Sequence, residues 1–201
     1  MFIKHQIPQI AMMVFTSTII AVILSSPVVN ALGPGEACAF NMPSGAPLEI
    51  PVLKNLFPNV AFGHVAWGFQ VGNSTNYIFG SDDGPSNGNN GDTKKWSQSN
   101  GTRANMLSWF KSNGYAYYNC EPVQNSAVGS AQTMIATVKA QKYQAFGNNC
   151  LDDTIAILTA YNAQGVPSVK GKPIAPNWWF DHLASDGNSS GGRWSTTRKN
   201  L

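Results

Sequence analysis

Charge is scarce in this chain: only 11% of its 201 residues are Asp, Glu, Lys or Arg, and the formal net charge is +3. A balance so small and so scattered excludes the basic surface that phosphate backbones require, so no nucleic acid is expected as a partner. Histidine stops at three and cysteine at three, without the ligand spacing of a zinc site, so no metal is expected. No glycine-rich loop follows a strand pattern in the way that cradles phosphate, and no cofactor is expected either. There is no internal repeat. Beyond the first 31 residues no apolar run is long enough to span a membrane.

What is there begins with a leader. Lys4 and His5 make a short basic start, and Ile10 to Leu24 is apolar apart from Thr16, Ser17 and Thr18. That is the length of a signal-peptide core and short for a membrane span. Pro27 breaks the helix, and small Val29 and Ala31 stand third and first before a cut, which places cleavage after Ala31. The expectation is a secreted, extracellular, monomeric protein with residues 32–201 as one globular domain. The abundant Asn, Ser, Gly and Thr suit a neutral, polar surface.

Residues 32–60, rich in Pro and Gly, predict an irregular lead-in. Residues 61–71 then alternate, with Val65, Trp67, Phe69 and Val71 on one face and His64, Ala66, Gly68 and Gln70 on the other. With the turn at GNSTN and the return NYIFGS they predict a β-hairpin. Residues 81–101 hold no apolar side chain but Trp96 and predict a long loop. A helix is expected from Thr102 or Arg103 to Gly114, a strand over YAYYNC, and a helix over residues 126–142 burying Val128, Ala131, Met134, Ile135 and Val138. YQAF reads as a short strand. Asn148 and Asn149 read as N-cap residues before a helix from Cys150 that Gly165 stops. The tail after NWWFDHL reads as loose. The class is α+β, a small antiparallel sheet packed with about three helices.

Export makes the cysteine count informative. Cys38, Cys120 and Cys150 are an odd number in an oxidising compartment, so one thiol is left over. A Cys38–Cys120 bridge, which leaves Cys150 free, is the expected pairing, although spacing allows the other two. Cys150 sits where unpaired amides and the helix dipole favour a thiolate. Asp152 and Asp153 oppose this but lie largely off its face, where acids in a first turn stabilise the helix. A base must be His64 or His182, and His64 is preferred because Ala66 and Gly68 clear room for a helix N-terminus to dock beside it. A hairpin turning at Asn73 and Ser74 sets Asp83 opposite His64 as the group that orients the ring and Ser81 opposite Ala66. A shifted turn would substitute Asp82, and Asn76 is a weaker choice. The backbone N–H of Cys150, with the Asn149 or Asn148 side chain, would meet an oxyanion.

GHVAWGFQV followed by a second strand and, much later, NNCLDDTIAILTAY resembles the circularly permuted papain-like folds, the NlpC-type branch that includes lecithin retinol acyltransferase relatives. The resemblance covers residues 61–83 and 146–164. It implies a papain-like arrangement with Cys150 as nucleophile and His64 as base. The hairpin here is longer than the family's.

Two functions follow. A secreted thiol hydrolase would cleave an amide bond in a peptide or cell-wall peptide. A noncatalytic binding module would instead offer aromatics such as Trp178, Trp179 and Phe180 to sugars, with the loop from Ser81 to Gly101 adding polar contacts. Sequons stand at Asn73, Asn100 and Asn188.

Overall fold

The computed structural model describes residues 32–45, 62–169 and 175–201. The expected signal peptide and most of the expected lead-in lie outside the described residues. Strands β1 (Leu32–Met42), β2 (His64–Gln70), β3 (Asn76–Pro85), β4 (Lys94–Thr102), β5 (Tyr117–Ala127) and β6 (Lys199–Asn200) form one antiparallel sheet in the order β4-β3-β2-β1-β5-β6. Helices α1 (Arg103–Ser112), α2 (Val128–Lys139), α3 (Cys150–Ala160) and α4 (Pro176–Ser189) complete an α+β fold. The expected class stands, with a larger sheet and one more helix than expected.

The sheet is covered on both faces. On one, Val65, Trp67 and Phe69 of β2 meet Ile135 of α2, Leu151 and Ile157 of α3, and Trp179 and Leu183 of α4. On the other, Phe40, Ala66 and Phe79 meet Met106 and Phe110 of α1. The alternation in β2 thus reports two cores, a bulky face for three helices and a small face for one. A Cβ at Gly68 would collide with Met106 and crowd Phe40. Ala66 and Gly68 therefore make room for α1, and α3 packs on the bulky face instead. This corrects the expected docking of the thiol-bearing helix on the small one: the apolar side of α3 needs the larger surface.

Four local expectations fail for physical reasons. The lead-in contains β1, a central strand flanked by β2 and β5. Its Ala37, Cys38, Ala39 and Phe40 are buried on both faces, so no alternation appears, and the register shift between Gly33 and Gly35 hides its start. The long loop contains the end of β3 and all of β4, an edge strand whose polar composition suits its solvent-facing side. YQAF forms isolated contacts and no strand: Tyr143 exchanges backbone hydrogen bonds with Gly91 and Asp92, and Gln144 bridges to Asn148. Helix α3 ends earlier than expected, with Asn162 in the left-handed region at φ 74°, while Gly165 permits close backbone approach to Gly187.

The tail is ordered around Trp194, which is buried. Its N–H is accepted by Asn188 Oδ1 at 2.8 Å, and its carbonyl receives Asn188 Nδ2 at 2.9 Å. β6 then pairs with the start of β5. Cap chemistry matches the sequence better. Thr102 caps α1 in a reciprocal pair with Asn105, and Gly114 follows the helix at φ 85°.

Cys38 and Cys120 face each other across β1 and β5 and are disulfide-bonded, as expected, leaving Cys150 as a free thiol. The bridge joins residues 82 apart in sequence. Cys38→Ala/Cys120→Ala is expected to lower the unfolding free energy by about 2–4 kcal/mol, chiefly by freeing the unfolded chain. Urea titration of the oxidised and double-variant proteins measures it, and equal midpoints would mean the bridge constrains little.

Candidate active site

The hairpin register of β2 and β3 runs Trp67 opposite Gly80 through Gln70 opposite Tyr77. Continued toward the open end of the hairpin, it sets Asp83 beside His64, and the side chains meet there with His64 Nε2 3.4 Å from Asp83 Oδ1. Both strands end at the same rim of the sheet. A register shift between Asp82 and Pro85, with Gly84 at φ 103°, bends β3 at that rim. Bulges of this kind re-aim side chains.

Each member is held from behind. Asp83 accepts hydrogen bonds from the hydroxyls of Ser81 and Ser97, both 2.6 Å, which stand opposite each other on β3 and β4. His64 follows Gly63, whose φ of 76° starts the strand, and the backbone N–H of Asn177 in α4 donates to Phe62 O at 3.2 Å. The Asn177 side chain donates to Pro43 O and accepts from Asn41, so α4 pins the entry of β2. A side chain at Gly63 would strike Asn177. Tyr115 completes the wall, its ring 5.6 Å from the imidazole.

Cys150 opens α3. Asn149 Oδ1 accepts from the Leu151 and Asp152 N–H groups while Asp152 returns a bond to the Asn149 N–H. The intrahelical ladder begins with Asp153 N to Asn149 O. The Cys150 N–H, first in the helix, is taken by neither cap nor ladder. Cys150 is 7% exposed and His64 3%.

Electrostatics tie the three together. Burial alone would push the His64 imidazole down, but the charge of Cys150, the Asp83 carboxylate and hydrogen bonding to both outweigh it and raise the ring to about 10. Burial would lift Asp83, yet the His64 ring beside it and hydrogen bonds from Ser81 and Ser97 hold it below the ordinary value. The structure thus brings Cys150, His64 and Asp83 together.

The remaining candidates are placed elsewhere. His182 lies on α4, stacked on Trp178 at 4.0 Å with Nδ1 on Trp178 O. Asn76 is exposed near the turn, and Ser81 supports Asp83. The Asn149 amide is committed to the cap and, through Nδ2, to Ala145 O at 2.9 Å, while Asn148 bonds Lys142 O and Lys94. Of the expected oxyanion donors, the Cys150 N–H is the one that no cap or ladder bond engages. Of the aromatic run, Trp179 and Phe180 are core and Trp178 is 46% exposed.

Asp82 and Asp153 belong to a buried cluster that sequence reasoning missed. The Lys94 ammonium contacts Asp153, lies 3.5 Å from Asp82 Oδ2, and donates to Asn148 Oδ1 at 2.9 Å. Burial and the neighbouring carboxylate raise Asp153 to about 7 against the pull of Lys94, and burial raises Asp82 as well. Nothing in the sequence distinguishes Lys94 from exposed Lys95.

Glu36, Cys38 and Cys120 form a group of potential metal ligands, but the sulfurs are bonded to each other and Glu36 is paired with Arg103 at 2.7 Å. Among the described residues no helix is long and apolar enough to cross a membrane. Comparison with protein-family models, curated proteins and solved structures finds no match in any of the three.

Stability should fall as pH rises from about 4 to about 7. Asp153 keeps its proton in the fold to about 7 and in the unfolded chain only to about 3.8, so its contribution is lost between those values. Urea midpoints across that range test the direction, and Asp153→Asn should flatten the acid-side slope. A wild-type midpoint that climbs between pH 5 and 7 would contradict the buried proton.

Proposed function

We propose that the protein is an exported thiol hydrolase, cleaving an amide bond in a peptide or cell-wall peptide through an acyl-enzyme on Cys150. The observation that carries this reading is the convergence of a free thiol at a capped helix start, a buried imidazole whose charged form Cys150 and Asp83 favour, and a carboxylate held near the ring by two serines. The order of the parts, a His-bearing strand and its partner before the Cys helix, supports the permuted papain-like assignment.

The chemistry needs no other group. Cys150 sulfur attacks the carbonyl carbon and His64 holds the thiol proton, while Asp83 fixes the ring and stabilises its charge. The carbonyl oxygen gains negative charge against the Cys150 N–H and the positive end of α3. Collapse of this intermediate breaks the C–N bond, and the proton on His64 leaves with the amine. His64 then takes a proton from water, whose oxygen attacks the thioester. The acid departs, and the proton returns to sulfur.

Iodoacetamide is expected to alkylate Cys150 at about pH 6, where an ordinary thiol is barely ionised, and His64→Ala should slow this at least about tenfold. Screening peptides and peptidoglycan fragments should reveal hydrolysis that Cys150→Ala reduces on the order of a thousandfold or more. Equal alkylation of wild type and His64→Ala would overturn the pairing. Sugar binding without turnover, indifferent to Cys150→Ala, would favour a binding module.

A further inference from the structure

The Lys94 cluster joins the two halves of the proposed site. Lys94 stands on β4, beside the bulge that presents Asp83. Its side chain is fully buried, a costly place for an ammonium unless several partners meet it. Those partners come from both sides of the site. Asp82 is the residue before Asp83, on β3. Asp153 is one turn beyond Cys150 on α3, and Asn148 lies two residues before Cys150, at the approach to the cap. One cation therefore grips the nucleophile's helix on both sides of Cys150 and ties it to the strand that carries Asp83. The cap of α3 is local to the helix, and buried Leu151, Ile157 and Leu158 hold its apolar side, whereas the Lys94 contacts reach polar groups on both sides of Cys150. Asp82 accepts the Gly84 N–H through Oδ1 at 3.1 Å, and its Oδ2, without a hydrogen-bond partner, faces the Lys94 ammonium at 3.5 Å.

We propose that Lys94 is a positioning residue for the Cys150–His64 pair: by bridging Asp82, Asp153 and Asn148 it sets the depth and tilt at which the start of α3 brings sulfur to the imidazole. This rests on Cys150 and His64 acting as nucleophile and base. Lys94 touches neither sulfur nor ring, and acts through the backbone segments it holds.

The test uses iodoacetamide, whose displacement by sulfur passes through no oxyanion and so reads the thiol–imidazole pair alone, together with NMR titration of the His64 ring. In Lys94→Met/Asp153→Asn, alkylation at neutral pH should slow at least about tenfold, since misplacement of about 1 Å is costly to a reacting pair. The His64 ring should titrate well below the native value of about 10, because burial then outweighs a more distant sulfur. Asp153→Asn alone keeps Lys94 on Asp82 and Asn148 and should slow alkylation less than the double variant does. A folded double variant with native alkylation and native His64 titration would show that Lys94 only stabilises, and would overturn the proposal. If the double variant does not fold, Asn148→Ala decides, since it removes one Lys94 partner from a partly exposed loop. Slowing by about twofold or more in a native fold supports the role, and an unchanged rate overturns it. Alkylation that depends on His64 but not on Lys94 sinks this inference alone, whereas alkylation independent of His64 sinks the hydrolase reading with it.

Discussion

The pairing of β1 with β2 on one side and β5 on the other joins parts of the chain that lie far apart, and every other element takes its place from it. Ala37 and Ala39 send small side chains into the three-helix face, and Cys38 and Phe40 point to the α1 face. A strand buried on both sides leaves no freedom to slip by one residue, because a slip would exchange its two faces. The Cys38–Cys120 bridge closes the same register covalently. With β1 fixed, the β2–β3 hairpin and α3 can meet only at one rim.

That rim is where the candidate site residues collect. Two apolar cores fill the faces of the sheet, so polar side chains find room where strands begin and end. His64 is the first residue of β2, Asp83 lies at the bulge near the end of β3, and Cys150 is the first residue of α3. Each stands where its element starts or breaks, and each is backed by groups from another element. Asn177 of α4 braces the entry to His64, Ser97 of β4 holds Asp83, and Lys94 grips the approach to Cys150.

The candidate site was more legible than the fold, for a physical reason. A period-two hairpin with a short turn fixes its register locally, so the partnership of His64 with Asp83 followed from the position of the turn. The cap before Cys150 is equally local, since Asn149 and Asp152 are three residues apart. What could not be read is set by distant partners. β1 shows no alternation because its neighbours supply the bulk on both faces, and β4 shows none because β3 alone pairs with it. Lys94 looks like any surface lysine until Asp82 and Asp153 are brought to it by the sheet and α3. The small face of β2 was recognised correctly as a space for a helix, but the residues do not say which helix fills it.

The sheet ends in two unlike borders, and together they discourage growth. On one side β4 presents exposed Lys95, Gln98 and Asn100. On the other, β5 carries exposed Pro122, which has no N–H to offer a newcomer, and β6 covers only Tyr117 and Tyr118. A neighbouring copy adding a strand to the first border would have to strip water from a lysine, and at the second it would meet an interrupted row of donors. Crowded molecules of this protein are thus steered away from strand-by-strand polymerisation by the chemistry of its sheet margins.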